Sequence, residues 1–164
     1  MSQLDTPRQL FIHKLGAALA MEQSGLALLE VFQQRASHPK LQVELEQHRR
    51  ETMQQLQNLH YVCETVGAEP EPQPSPVIEG LQNSAEQLIR VSPDLVDWVI
   101  LDSLIQSEHH ELAVYNALII SAETIGEEDL VPLFQENLEA EKHALDEIVK
   151  AAEQVSYQLA KQSS

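Results

Sequence analysis

The chain has 164 residues, only 4% of them aromatic, and carries a net charge of −16. Such an acidic surface repels phosphate backbones and anionic lipid headgroups, so composition argues against nucleic acid and membranes as partners. A single cysteine, Cys63, excludes an intramolecular disulfide and is typical of a reducing compartment. The N-terminus shows no signal pattern and no apolar run reaches membrane-spanning length, so we expect a cytoplasmic protein.

The first half of the chain is predicted to form two long helices. Apolar residues recur with helical spacing over residues 7–34, where Asp5 or Thr6 is the expected N-cap. After a short break that contains Pro39, the pattern resumes over residues 41–66 and stops at Gly67. Because the connection is so short, the two helices should be antiparallel neighbours.

A proline-rich crossover, about residues 68–91, separates the two halves of the chain. Four prolines at alternate positions, from Pro70 to Pro76, exclude a helix there and favour an extended connector. A short extra helix is predicted after them over residues 77–90, with Ser75 and Pro76 at its start.

The second half repeats the plan of the first. Long helices are predicted over residues 94–124 and 128–158, with a tight connection near Gly126. The pattern therefore predicts one all-α domain spanning residues 1–164. Its architecture is a four-helix bundle with one long crossover that contains the short helix.

Acidic residues interrupt the apolar faces of these helices. Glu22, Glu108 and Glu141 fall at the centre of the apolar stripes of the first, third and fourth long helices. On the second long helix His48 is central, and Glu51 lies on the flank. Burying a carboxylate costs several kcal/mol, so four of them in one core require protons, buried partners or cations.

Two explanations fit this pattern, a polar core that shares protons and a site for metal ions. The chain has only ten basic residues, and none lies mid-helix at the centre of a stripe. We therefore favour a metal site, in which two divalent ions would balance four glutamates. The alternatives of one bound ion or no bound ion stay open at this stage. Oxygen-rich ligands with few imidazoles favour iron or manganese, while magnesium and calcium are not excluded.

The residues that carry this pattern resemble the ferritin-like superfamily, and most closely the bacterial stress proteins of the YciE/YciF type. The resemblance covers about residues 10–155 and rests on segments 45–52, 106–115 and 138–142. It implies a stress-related protein with iron or manganese that reacts with oxygen or peroxide. The metal ligands that it implies are Glu22, Glu51, Glu108, Glu111 and Glu141.

One departure from the ferritin-like pattern concerns the imidazole ligands. Catalytic members often carry Glu-x-x-His on two helices, but here Gln54 follows Glu51 at that spacing and Ala144 follows Glu141. His48, three residues before Glu51, is the expected substitute in one half of the site. We therefore add His48 to the candidate ligands.

Other functions stay open at this stage, and the pattern does not decide whether the protein is an enzyme. The same fold with a metal-free core would serve as a helical interaction module, and an exposed His13 is a remote candidate for phosphotransfer. Tyr115 on the core stripe is either a packing residue bonded to a carboxylate or a redox-active neighbour. Leu28, Val31 and Ala117 lie off the inner stripes, which indicates a homodimer.

Overall fold

A computed structural model describes residues 4–70, 73, 76–88 and 92–162, and within them it confirms the all-α prediction. The five helices are α1 (Pro7–Arg35), α2 (Pro39–Thr65), α3 (Pro76–Leu88), α4 (Val96–Thr124) and α5 (Val131–Gln162). Short 3₁₀ turns, Pro93–Leu95 and Glu128–Leu130, precede α4 and α5. No strand occurs in these ranges. The short helix, predicted over residues 77–90, begins at Pro76; its predicted cap residue Ser75 and its predicted end at Arg90 lie outside the described residues.

Local sequence signals set most of the helix ends. The Thr6 side chain accepts a hydrogen bond from the backbone N–H of Gln9, and the Gln9 side chain accepts one from the backbone N–H of Thr6. This capping box fixes the start of α1. Gly67 and Gly126 follow α2 and α4 with φ of +63° and +79°, a conformation that residues with a Cβ rarely adopt.

Four ends of the long helices differ from the prediction by a few residues. The second helix begins at Pro39 because proline is tolerated in the first turn of a helix. The last two long helices each begin with a 3₁₀ turn, so regular α-helix starts at Val96 and Val131 rather than at residues 94 and 128. The last helix also continues to Gln162, four residues beyond the predicted end.

Neighbouring helices in the bundle run in opposite directions. Three hydrogen bonds each join the first part of one helix to the far end of its neighbour: Arg8 to Val66, Lys14 to Ser121 and Trp98 to Ser156. Thus α1 is antiparallel to α2 and α4, and α4 is antiparallel to α5. Since α2 and α4 then run in the same direction, the chain needs a long crossover to connect them.

The core consists of two apolar clusters with a polar layer between them. One cluster packs around Phe11, Leu59 and Phe134, and the other packs around Phe32 and Ile100. On each long helix, buried polar residues occupy the stretch between the two clusters: Glu22 on α1, His48 to Asn58 on α2, Ser107 to Glu111 on α4, and Asn137 and Glu141 on α5. The polar layer therefore lies in the middle of the bundle.

By length and composition alone, α1 is apolar enough to cross a membrane. It is also a core helix of the bundle, where its buried face includes Phe11, Leu15 and the carboxylate of Glu22. Packing against the other helices accounts for its apolar character, because core helices of soluble bundles have the same composition.

Candidate metal centre

The glutamates of the polar layer are almost completely removed from solvent. Glu22, Glu108, Glu111 and Glu141 expose 1%, 0%, 3% and 0% of their surfaces, and His48 exposes 7%. Each long helix contributes at least one of these residues. Burial this deep is rare for a charged residue that lacks a compensating partner.

Four of these residues bring donor atoms close together. One ligand atom from each of His48, Glu108, Glu111 and Glu141 lies within 4.8 Å of the other three. Donors held about 2.1 Å from an octahedral ion are about 3.0 Å apart when adjacent and about 4.2 Å apart when opposite. This group, called the inner cluster below, therefore matches the first coordination shell of one ion after only small movements.

Several atoms of the inner cluster are buried without an aligned hydrogen-bond partner in the described part of the chain. They include both oxygens of Glu108, Oε2 of Glu141 and Nδ1 of His48. His48 Nε2 is 3.0 Å from Glu108 Oε1, which is an ion-pair distance but not an aligned hydrogen bond. Buried polar atoms are normally satisfied, and a cation between these oxygens would satisfy them. The residues present thus fit a bound metal ion.

The same crowding shifts the protonation of the cluster. Burial raises the pKa of Glu111 to about 7, and the negative charge of Glu108 adds to this effect. Burial and then Glu111 raise the pKa of both Glu22 and Glu141 well above the usual value. Burial lowers the pKa of His48, but the carboxylates of Glu108, Glu111 and Glu22 together outweigh it, and the pKa rises to about 9. Without a cation, the cluster therefore keeps protons at neutral pH.

Glu22 lies beside the inner cluster and has a different partner. The Tyr115 hydroxyl, fully buried, donates a hydrogen bond to Glu22 Oε1. Asn137 Nδ2 donates to the Tyr115 hydroxyl over 3.0 Å, and Asn58 Nδ2 donates to Asn137 Oδ1 over 2.7 Å. Tyr115 therefore packs in the core with its hydroxyl bonded to a carboxylate, which is one of the two roles that the sequence left open.

The polar layer has two unlike halves. One half holds the His48 imidazole beside Glu108. The other half holds the amides of Gln55, Asn58 and Asn137, called the amide half below, and Gln55 Nε2 donates a hydrogen bond to Glu141. Amides are neutral, so they compensate carboxylates less well than an imidazole or an ion does, and Gln55 Oε1 is itself buried without an aligned partner among the described residues.

The inward face of α2 explains why this helix adds no glutamate to the inner cluster. The buried residues on that face at the level of the cluster are His48, Thr52 and Gln55. Thr52 is buried, and its hydroxyl donates to the backbone oxygen of His48 in the preceding turn. Glu51 is one residue away from this inward position and so points about 100° aside.

Glu51 lies at the edge of the polar layer rather than in the inner cluster. Its side chain is 21% exposed and accepts a hydrogen bond from Gln47 over 2.7 Å. Its Oε2 is 4.0 Å from His48 Nδ1. Of the six residues predicted as ligands, the structure gathers four, places Glu22 next to them and leaves Glu51 outside. Metal ligation by each of the six stays a prediction.

Sequence reasoning missed some of the polar partners. Asn58, Ser107 and Asn137 were not singled out, although Ser107 Oγ donates to Glu111 Oε1 over 2.8 Å. Their signal was a polar residue spaced three or four positions from a core glutamate or glutamine, as Asn137 is from Glu141.

The remaining histidines are not in the polar layer. His109 and His143 are exposed, and His109 Nδ1 lies 2.8 Å from the Ile105 carbonyl oxygen of its own helix. His13, which was expected to be exposed, is half-buried.

Comparisons with known proteins support the same fold. A family model described as a domain of unknown function, DUF892, matches residues 6–161. YcfI from Rhodopseudomonas palustris is 28% identical, with 90% of this chain and 95% of that chain covered and a TM-score of 0.85. The stress protein YciF from E. coli is 24% identical, with 94% and 99% covered and a TM-score of 0.88.

A protein from Xanthomonas campestris pv. campestris is 21% identical, with 96% of this chain and 99% of that chain covered and a TM-score of 0.80. No protein of curated function matches the chain by sequence. Together these matches confirm the predicted helical bundle and the resemblance to YciE/YciF-type proteins.

Proposed function

Because the chain belongs to the DUF892 family, we propose that it is a stress-related metal protein that binds iron or manganese in the middle of its bundle. The observation that carries this proposal is the inner cluster, in which one imidazole and three carboxylates converge with unsatisfied buried oxygens. The proposed role in stress rests on the likeness to the stress protein YciF, and it is less specific than the proposed metal site.

One ion per chain is the stoichiometry that the polar layer favours. His48, Glu108, Glu111 and Glu141 would hold it, while Glu22 has Tyr115 as its partner. The sequence led us to expect two ions. The amide half argues against the second, because neutral amides occupy positions where a further ion would need charged donors.

Charge balance supports the same stoichiometry. One divalent ion offsets two of the four buried carboxylates, and the raised pKa of Glu22, which is not among the four donors, allows that residue to keep a proton. Binding must displace protons from the donors with raised pKa values, which are Glu141, Glu111 with a pKa of about 7 and His48 with a pKa of about 9. The affinity should therefore increase with pH.

The donor set suits a metal that accepts both carboxylate and imidazole ligands. Mn(II) and Fe(II) meet this condition, and either would supply redox chemistry toward oxygen or peroxide when bound. The chain's own part is to position the four donors, to exclude bulk water through the apolar clusters above and below, and to hold protons on the carboxyls.

Three further expectations accompany this proposal. We propose a cytoplasmic location and no nucleic-acid or membrane partner, on the basis of composition. A homodimer stays a prediction, for which Val31 is exposed while Leu28 and Ala117 are half-buried. If no metal binds, the remaining candidate is a helical bundle with a metal-free core that acts as an interaction module.

Thermal unfolding with and without metal tests the proposal. Mn(II), or Fe(II) under anaerobic conditions, at about 100 times its Kd stabilises the folded protein by about 2.7 kcal/mol, which raises Tm by roughly 5–10 °C. Glu108→Ala should abolish this increase, whereas Glu64→Gln, an exposed glutamate on α2, should retain it. An equal increase in Glu108→Ala, or none in the wild type, would contradict the proposal.

A further inference from the structure

A narrow crevice between α2 and α5 opens at the surface and reaches His48, one of the four residues of the inner cluster. Its cavity volume is about 20 Å³, enough for one water-sized particle. Gln47, His48 and Glu51 line it from α2, and Ala144 and Glu147 are among the residues that line it from α5. At this crevice the imidazole of His48, which belongs to the inner cluster, faces the solvent side of the bundle.

Polar side chains along this crevice become steadily less exposed toward the core. His143 at the mouth is exposed, and the side chains of Glu147, Glu51 and His48 are 30%, 21% and 8% exposed. Glu108, on the far side of His48, is completely buried. The crevice therefore offers a stepwise path from water to the inner cluster.

His48 connects the crevice to the inner cluster through its two ring nitrogens. Nε2 lies 3.0 Å from Glu108 Oε1 on the inner side, and Nδ1 lies 4.0 Å from Glu51 Oε2 on the outer side. Nδ1 has no hydrogen-bond partner among the described residues although its side chain is more than nine-tenths buried. Within the described part of the chain, Nδ1 is therefore a buried nitrogen without an aligned partner on the side of the ring that faces Glu51 and the crevice.

The charges along the crevice suit a cation. Glu44, Glu51 and Glu147 line it; Lys150 Nζ is 2.6 Å from Glu147 Oε1, and His48 Nδ1 is 4.0 Å from Glu51 Oε2. Gln47 holds Glu51 in place through its amide. Carboxylates that line a narrow, low-dielectric opening raise the local concentration of cations.

The residue that replaces an expected ligand keeps the crevice open. Ala144 stands three positions after Glu141, where many ferritin-like proteins carry histidine, and it lines the crevice beside His48. A larger side chain at position 144 would fill a space that holds only one water-sized particle.

We propose that the crevice between α2 and α5 is the route by which a divalent cation reaches the inner cluster. Glu51 is the transit carboxylate at its neck, and His48 Nδ1 is the first inner donor that the ion meets. This inference rests on the proposed metal binding. It assigns to Glu51 a role in the rate of uptake rather than in the final affinity.

Kinetics of metal exchange test this route, because a group on the path changes association and dissociation equally and leaves Kd unchanged. Apo protein is mixed with Mn(II) in a stopped-flow instrument, with free ion followed by a fluorescent chelator. Release is started with excess EDTA. In low salt, Glu51→Gln should slow both uptake and release about fivefold to tenfold, with Kd unchanged within about twofold. The effect should shrink at high salt.

Two more variants make the result specific. Ala144→Leu should slow uptake and release through steric closure, with Kd again unchanged. Glu64→Gln removes the same charge from an exposed position about 20 Å further along α2 and should leave both rates unaltered.

Other outcomes overturn the inference in distinguishable ways. A weaker Kd with unchanged uptake in Glu51→Gln would make Glu51 a ligand of the ion and would remove its transit role. Unchanged rates and Kd in both Glu51→Gln and Ala144→Leu would place the route elsewhere, while the metal site would stand. If wild-type protein binds no Mn(II), the proposed function itself fails.

Discussion

Replacing Glu111 by glutamine should stabilise the metal-free protein at alkaline pH. Glu111 is 3% exposed, and burial together with the charge of Glu108 raises its pKa to about 7. Folding raises the pKa of this carboxyl, so the folded state favours its protonated form. As pH rises from the pKa of the unfolded chain to about 7, Glu111 therefore lowers the free energy of unfolding progressively more.

The size of the effect follows from that shift. At pH 8 the folded protein carries an ionised Glu111 at a penalty of about 3 kcal/mol, whereas at pH 5 the penalty is below about 1 kcal/mol. Glutamine has nearly the same shape, has no charge, and can still accept the hydrogen bond from Ser107. We expect Glu111→Gln to raise the free energy of unfolding by about 3 kcal/mol at pH 8, or Tm by roughly 6–12 °C.

Urea unfolding in the presence of a chelator, at pH 5 and pH 8, measures this difference. The exposed Glu64→Gln is the control and should change stability by less than about 0.5 kcal/mol at both pH values. Equal gains for Glu111→Gln at pH 5 and pH 8, or a loss at pH 8, would refute the electrostatic account of the cluster. The same variant should lose most of the stabilisation that Mn(II) gives, since one of four donors is gone.

Three other predictions concern the polar layer. Tyr115→Phe should lower the free energy of unfolding by about 1–3 kcal/mol in urea titrations, because Glu22 loses its donor; no loss would show that the bond is unimportant. The affinity for Mn(II) should strengthen at least about tenfold from pH 6 to pH 8, because protons leave Glu111 as the ion binds. A titration that gives the same Kd at both pH values would count against this. Gln55→His should bring a second ion beside Glu141 and raise the metal content measured by elemental analysis; unchanged content would mean that the amide half is closed for other reasons.

The sequence was sufficient for the fold because each helix has its own local signals. Thr6, Gly67 and Gly126 mark helix ends, and the prolines from Pro70 to Pro76 mark the crossover. The apolar stripes also placed Glu22, Glu108 and Glu141 in the core, where the structure has them. The apolar stripes follow from helical periodicity, which can be read directly from the sequence.

The composition of the site was less predictable because it depends on how the helices are set against each other. Periodicity on α2 placed His48 at the centre of the stripe and Glu51 on its flank, where the structure has them, but it does not tell whether a flanking carboxylate reaches donors on the other helices. The polar partners around Glu22 and Glu141 come from three different helices: Gln55 and Asn58 from α2, Tyr115 from α4 and Asn137 from α5. Their proximity follows from tertiary packing, which no local pattern specifies.

The metal content of the purified protein tests the central claim most directly. Wild type and Glu108→Ala would be loaded anaerobically with Fe(II) or Mn(II), desalted and subjected to elemental analysis. We expect about one ion per chain in the wild type and essentially none in Glu108→Ala, because Glu108 supplies buried oxygens with no other partner in the described structure. Equal metal content in the two proteins, or none in the wild type, would contradict a metal site in the polar layer.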